Sequence, residues 1–278
     1  MKLWVNGQLD DLSRLRISPL DHGLLVGDGV FETLRVYDGV PFAWRRHFER
    51  LTHSAGGIGL PTPPAAELRA AADAVLAANH LREARLRITV TGGEAPLGSE
   101  RGEAAPTVII AASELAPRPN VADVVTVPWA RNERGAISGL KTISYAENVR
   151  ALAYAREHGA GEAVFPNTRG ELCEATGSNV FLGFAGVLHT PPGEAGCLLG
   201  VTRALVLELA GGLGIAIEEA ALPLDALHRA DEAFLSSTTR EVQAIGRVDG
   251  QTLPIAPGPL TARLAEAFSD LVSRDLDP

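Results

Sequence analysis

The sequence predicts a mixed α/β protein of two domains, and three observations carry that prediction. At 278 residues the chain has ample material for one large core or two modest ones. Strand-like alternation and helix-like periodicity are interspersed in both halves. One stretch, "SELAPRPNVAD" (113–123), carries two prolines and no apolar period, so it reads as a connection between units. The expected division is a small α/β domain over residues 1–113, a linker over 114–122, and a larger domain over 123–278.

"KLWV-NG-QLD" opens as a hairpin, because Asn6-Gly7 suits the positive φ angles of a type I′ turn. The glycine-rich "DHGLLVGDGVFETLRVYDGVPF" alternates as a strand in its second half and turns at Asp38-Gly39. Trp44, Phe48 and Leu51 then recur at helical spacing, and glycines end that run. A second helix, "AAELRAAADAVLAANH", is followed by the strand "ARLRITVTGG", a polar loop and the strand "TVIIAA". In the second half come a helix ("AENVRALAYAREHG"), a short strand ("EAVF"), a turn over Asn167–Gly170 and further strands. Then follow a helix ("VTRALVLELAGGLG"), a strand near Ile215–Ala220 and a short helix capped by Asp225. "EAFLSSTTREVQAIGRVDG" reads as a strand pair around a Ser/Thr turn, and an amphipathic helix comes last. No internal repeat or low-complexity segment is present.

Composition narrows the function. A net charge of −9 with no lysine/arginine-rich block speaks against nucleic acid as a partner. "MKLWVNGQLDD" lacks the apolar core of a signal peptide, and no apolar run approaches the ~18 residues of a membrane helix. Cys173 and Cys197 are too few for a disulfide framework or a zinc site. The expectation is a cytoplasmic enzyme or binding protein with no metal and no membrane partner.

Only Lys2 and Lys141 are lysines among the 25 lysine and arginine residues. A guanidinium stays protonated, whereas a desolvated lysine amine can lose its proton and attack a carbonyl. Lys141 therefore reads either as a surface lysine or as a Schiff-base residue. Pyridoxal phosphate (PLP) chemistry would also require an acid beside the pyridine nitrogen and a phosphate cradle. Glu174, in "GELCEATGSNVF", stands among small residues that let a flat ring approach; the alternative is a surface carboxylate at a strand end. Gly200-Val201-Thr202 opens a helix whose free N–H groups suit an anion, with a simple Thr202 cap as the alternative. Ser236–Thr239 place four hydroxyls at the end of a strand, as a phosphate turn or an ordinary polar turn would.

In this order the motifs "DHGLLVGDGVFETLR", "HFERL", "GLKTISYAENV", "ELCEATGSNVF", "GVTR" and "ADEAFLSSTTREV" resemble the fold-type IV PLP enzymes, or class IV aminotransferases, over nearly the whole chain. That group includes D-amino acid and branched-chain aminotransferases, (R)-selective amine transaminases and 4-amino-4-deoxychorismate lyase. The resemblance implies a small N-terminal α/β domain, a larger C-terminal domain with a barrel-like sheet, and a homodimer. It implies Lys141 as the imine-forming, proton-shuttling catalytic residue and Glu174 as the pyridine partner. Arg50 would bind the phosphate with Val201, Thr202 and Thr238, and Tyr145 would stand near the cofactor O3′.

The reading that follows is a transaminase moving an amino group from a D-amino acid, with an (R)-amine as a further donor, to a keto acid. The alternative is 4-amino-4-deoxychorismate lyase, against which Ser144 counts, since several lyases have Asn there. Arg35, Arg87, Arg101, Arg131 and Arg134 are candidates for binding the substrate carboxylate. The arginine–histidine pair of D-amino acid enzymes is absent from "RITVTGGEAP".

Overall fold

Asn6 and Gly7 take φ angles of 46° and 90°, and the chain reverses there from β1 (Lys2–Val5) into β2 (Gln8–Asp11). The hairpin is the one that the Asn-Gly pair predicts. The computed structural model describes residues 1–278, which divide into two units. The first comprises Met1–Ala116, Leu140–Ser144 and Asp275–Pro278; the second comprises Pro117–Gly139 and Tyr145–Arg274.

The first unit continues with α1 (His22–Val26), β3 (Gly29–Tyr37), β4 (Val40–Pro41), α2 (Trp44–Gly57), α3 (Ala65–Ala78), β5 (Ala84–Thr91) and β6 (Thr107–Glu114). Its six strands run in the order β2-β1-β6-β5-β3-β4. β3 alternates, so Val30, Leu34 and Val36 join Leu51 and Ala55 of α2 and Leu68, Ala72 and Val75 of α3 in one core. Each of the valines and leucines contributes about 1.5–3 kcal/mol on burial. Ala43, the residue before α2, has no side chain to cap it. The chain's last residues do so instead: Ala43 N–H donates to Leu276 O at 2.7 Å and Arg45 N–H to Asp277 Oδ1 at 3.0 Å.

The second unit holds β7 (Val121–Thr126), α4 (Ala146–Glu157), β8 (Glu162–Pro166), β9 (Leu172–Ala175), β10 (Asn179–Phe184), β11 (Val187–Thr190), α5 (Val201–Gly212), β12 (Ile217–Glu219), α6 (Ala226–Arg229), β13 (Glu232–Ser237), β14 (Glu241–Val248), β15 (Gln251–Thr252) and α7 (Pro259–Arg274). Eight strands follow the order β12-β11-β10-β13-β14-β7-β8-β9, and β15 pairs with β14. This sheet is curled into a half-barrel. Its edge strand β9 returns toward β10, where Ala175 N–H donates to Ser178 O at 2.8 Å. Val164, Val180, Leu182, Leu235 and Ile245 fill the inside of the curl, whereas Phe181 and Phe234 stack 4.6 Å apart beneath α5 and α7.

Two local expectations are corrected, and one short element was not foreseen. β6 ends at Glu114 and β7 begins at Val121, so the irregular stretch is shorter than its prolines suggested. Asp225 precedes α6 but makes no side-chain cap bond, because its carboxylate pairs with Arg229 at 3.2 Å. The helix α1 has only five residues, too few to register as a period. It is closed at its start by Asp21, whose Oδ1 accepts from Gly23 N–H at 2.9 Å.

Candidate active site

Lys141 and Arg50 both lie in the first unit. Residues 141–143 add a short edge to β3: Phe31 N–H donates to Lys141 O at 3.0 Å, and Ile143 N–H to Gly29 O at 2.9 Å. β4 covers that strand only at its other end, at Val36 and Tyr37. The Lys141 N–H donates to Ser54 Oγ of α2 at 3.0 Å, so the lysine backbone is fixed on both sides. Its Nζ lies 4.3 Å from the centre of the Phe31 ring.

Glu32 sits on the core-facing stripe of β3 and is 1% exposed. A carboxylate so placed demands partners, and α2 supplies them one turn apart. Arg50 grips both oxygens, Nε to Oε1 at 2.7 Å and Nη2 to Oε2 at 2.8 Å. His47 Nδ1 lies 2.7 Å from Oε2; a carboxylate only accepts, so this nitrogen carries the proton. Burial would raise the Glu32 pKa, but the charge of Arg50 and the bonds from Arg50 and His47 hold it far below the carboxylate range. Burial lowers that of His47 against the pull of Glu32, with Arg50 and Lys141 adding to the decrease. The cluster is thus an ion pair with a neutral imidazole. Sequence reading missed Glu32 and His47; a carboxylate on the Val30–Leu34–Val36 stripe was a signal that Glu32 is buried, but nothing marked His47 as its partner.

In the second unit, Glu174 projects from β9. Its Oε2 accepts from Leu198 N–H at 3.0 Å, and its Oε1 lies 3.5 Å from Arg131 Nη2. Glu171, three residues earlier, is occupied otherwise, bonded at 2.8 Å to both Asn167 Nδ2 and Arg169 Nε. The Leu198 carbonyl accepts from Asn179 Nδ2 at 2.7 Å. Asn179 in turn pairs with Ser236 across β10 and β13. Glycine at the residue before α5 leaves room for Asn179, since a Cβ on Gly200 would meet its Oδ1 at 2.3 Å and displace that side chain. Asn179 thereby links Glu174, the start of α5 and the end of β13. Val201 and Thr202 form the first turn of α5, both buried, and no side chain caps that helix. Thr238 lies in the turn between β13 and β14, which Arg240 N–H closes onto Ser237 O at 3.1 Å. Arg240 reaches on to the buried Glu162 at 3.0 Å, and Glu162 Oε1 also accepts from Thr176 N–H at 3.2 Å. That brace behind both loops carried no sequence signal. Tyr145 precedes α4 without a cap bond from its side chain.

The five arginines proposed for a carboxylate separate clearly. Arg35 pairs with Glu83 at 3.3 Å, and Arg101 grips Asp28 through Nε at 2.8 Å and Nη2 at 2.5 Å. Arg131 faces Glu174, and the Arg134 side chain is 82% exposed. Arg87, on β5, lies with its guanidinium carbon 3.7 Å from the centre of the Phe31 ring, the ring that Lys141 Nζ also approaches.

These residues fit PLP. An uncapped helix start beside the Thr202 hydroxyl suits a phosphate. Ser178 Oγ and Ser236 Oγ are buried without a protein partner, so the loops around Asn179 hold donors that only a further group can satisfy.

A family model for class IV amino-transferases matches residues 29–248. The chain is 35% identical over 277 residues to a Methanocaldococcus jannaschii protein provisionally named a branched-chain-amino-acid aminotransferase, covering 98% of this chain and 96% of that one. It is 33% identical over 276 residues to the D-alanine aminotransferase of Bacillus licheniformis, covering 98% and 97%. Among solved structures it resembles the Escherichia coli branched-chain amino acid aminotransferase, at a TM-score of 0.92 and 30% identity, covering 97% and 94%. The chain therefore belongs to the class IV aminotransferases, a family of PLP-dependent enzymes.

Proposed function

We propose that this aminotransferase takes an amino group from a D-amino acid and passes it to a keto acid. The observation that carries the reading is the shared Phe31 ring: Arg87 and Lys141 both contact it, 3.7 and 4.3 Å from its centre. An arginine so near a reactive amine suits a substrate carboxylate. Full-length similarity to a D-alanine aminotransferase supports a D-donor; similarity to a protein named for branched-chain amino acids favours L-branched donors as the second reading.

PLP, when bound, withdraws electrons from the substrate Cα so that its proton can leave. Lys141 Nζ takes that proton and returns it, and arginine could not, since its guanidinium stays protonated. Glu174 would pair with the ring nitrogen. Arg50, Val201, Thr202 and Thr238 would hold the phosphate, and Tyr145 would stand by the ring oxygen. The protein acts as a homodimer, and the leucines Leu24 and Leu97, 70% and 79% exposed, are candidates for contact with the second copy.

The test is a donor panel read by cofactor absorbance without acceptor, then with pyruvate or 2-oxoglutarate added. D-Alanine should convert the spectrum and a keto acid should restore it, with ping-pong kinetics. An (R)-aryl amine should react more slowly, having no carboxylate for Arg87. Reaction with L-branched amino acids alone would select the second reading. Release of pyruvate and 4-aminobenzoate from aminodeoxychorismate, with no response to any amino acid, would overturn both.

A further inference from the structure

We propose that Arg131 is a positioning residue for the cofactor: it keeps Glu174 a carboxylate and aims it at the ring nitrogen. This rests on the reading of Glu174 as the pyridine partner. The Arg131 backbone is fixed by its N–H donating to Pro166 O at 2.8 Å. Its guanidinium lies over the Phe165 ring at 4.3 Å and donates through Nη1 to Asn148 Oδ1 at 3.0 Å. That leaves Nη2 at 3.5 Å from Glu174 Oε1, an ion-pair distance without hydrogen-bond geometry. Nε and Nη2 are both buried and have no hydrogen-bond acceptor. A guanidinium held by a ring on its face and an amide on one nitrogen, with two donors unspent, is anchored for its charge.

Arg131 is the cation at ion-pair distance from Glu174; Arg203, whose charge also reaches Cys197, is paired with Glu219 at 2.6 Å and donates to Pro191 O at 2.9 Å. Cys173 and Cys197 both lie within the field of Glu174, but burial raises both thiols, that of Cys197 to about 12, so they stay neutral. Glu147 of α4 lies 3.6 Å from Arg131 but is 70% exposed and solvated. Glu133, in the loop after Arg131, acts on Cys173 but is held by Thr168 and Arg169. An adjacent cation favours the charged carboxylate. With Arg131 in place, Glu174 would remain an anion and would favour a proton on a ring nitrogen paired with it.

The test is the pH dependence of the PLP dissociation constant, measured by fluorescence quenching in the full chain. Arg131→Met should move the acid limb, where binding fails as Glu174 takes up a proton, upward by about 1–3 pH units. Arg131→Lys, which keeps the charge, should restore most of the wild-type profile. In a Glu174→Gln background Arg131→Met should shift nothing further. If Glu174→Gln leaves the profile of the wild type, Glu174 is not the pyridine partner and the proposal falls with that reading. If Glu174→Gln changes the profile but Arg131→Met and Arg131→Lys do not separate, the reading stands and the role of Arg131 is overturned. An Arg131→Met effect as large in the Glu174→Gln background as alone would make Arg131 merely structural and overturns it too.

Discussion

Each unit contains one arginine–glutamate pair among the residues proposed for the site, and the two pairs are built in opposite senses. In the first unit Glu32 is sealed in the core with both oxygens committed, two contacts to Arg50 and one to His47. In the second unit Glu174 keeps a longer ion pair with Arg131 and a backbone bond from Leu198. The buried carboxylate of the first pair fixes the plane of its arginine. In the second, the arginine is the anchored member and meets its carboxylate at ion-pair distance only.

The comparison breaks most visibly at Glu32. Glu32→Gln leaves Arg50 half-paired in the core and should cost about 3–5 kcal/mol of stability, read as a lower denaturant midpoint. Its pH signature sharpens the test. Both Glu32 and His47 titrate below their ordinary values of 4.5 and 6.5. For each, the stabilising contribution is complete above the ordinary value and lost as pH falls toward the folded one. Wild type should therefore weaken first below about 6.5 and again below about 4.5, where Asp28 and Glu171 contribute as well, so Glu32→Gln should show a smaller lower step. Loss of the upper step, or an undiminished lower one, would contradict the assignment of an ionised Glu32 beside a neutral His47.

Glu174→Gln should behave conversely. It should melt near the wild-type temperature yet lower the half-reaction rate about 10²-fold, equivalent to a few kcal/mol of transition-state stabilisation. A rate equal to wild type would transfer the ring-nitrogen role elsewhere. The smallest effect belongs to the cap of α2, the helix that carries His47 and Arg50. Asp277→Ala removes the acceptor for Arg45 N–H and should cost about 1 kcal/mol, visible as a small drop in melting temperature with the donor preference unchanged.

The pairs also differ in how far the sequence revealed them. Lys141 and Glu174 stood out as candidates because the chemistry proposed for them demands a particular residue type: an amine that can lose its proton, and an acid among small neighbours. The helix start at Gly200-Val201-Thr202 was legible from the periodicity that follows it. Glu32 and His47 were not, because a strand's alternation says which face a residue takes but not which helix residues meet it there. Arg131 was marked only as one arginine among five. Its separation from Glu174 by 43 positions is bridged by the pairing of β8 with β9, which no local pattern encodes. The wrong Asp225 cap shows the same limit at short range, since the residue type was right and its carboxylate turned to Arg229 instead.

The first unit is assembled from three separated pieces of chain, and that limits how such a protein can be cut or recombined. A fragment ending at residue 116 would lack both the edge that Leu140–Ser144 adds to β3 and the residues that cap α2. Crossovers that swap front halves between homologous enzymes would likewise separate Lys141 from the strand that sets its register, unless the junction fell after residue 144. Successful chimaeras should therefore join beyond that point and inherit the final four residues from the same parent as the first hundred.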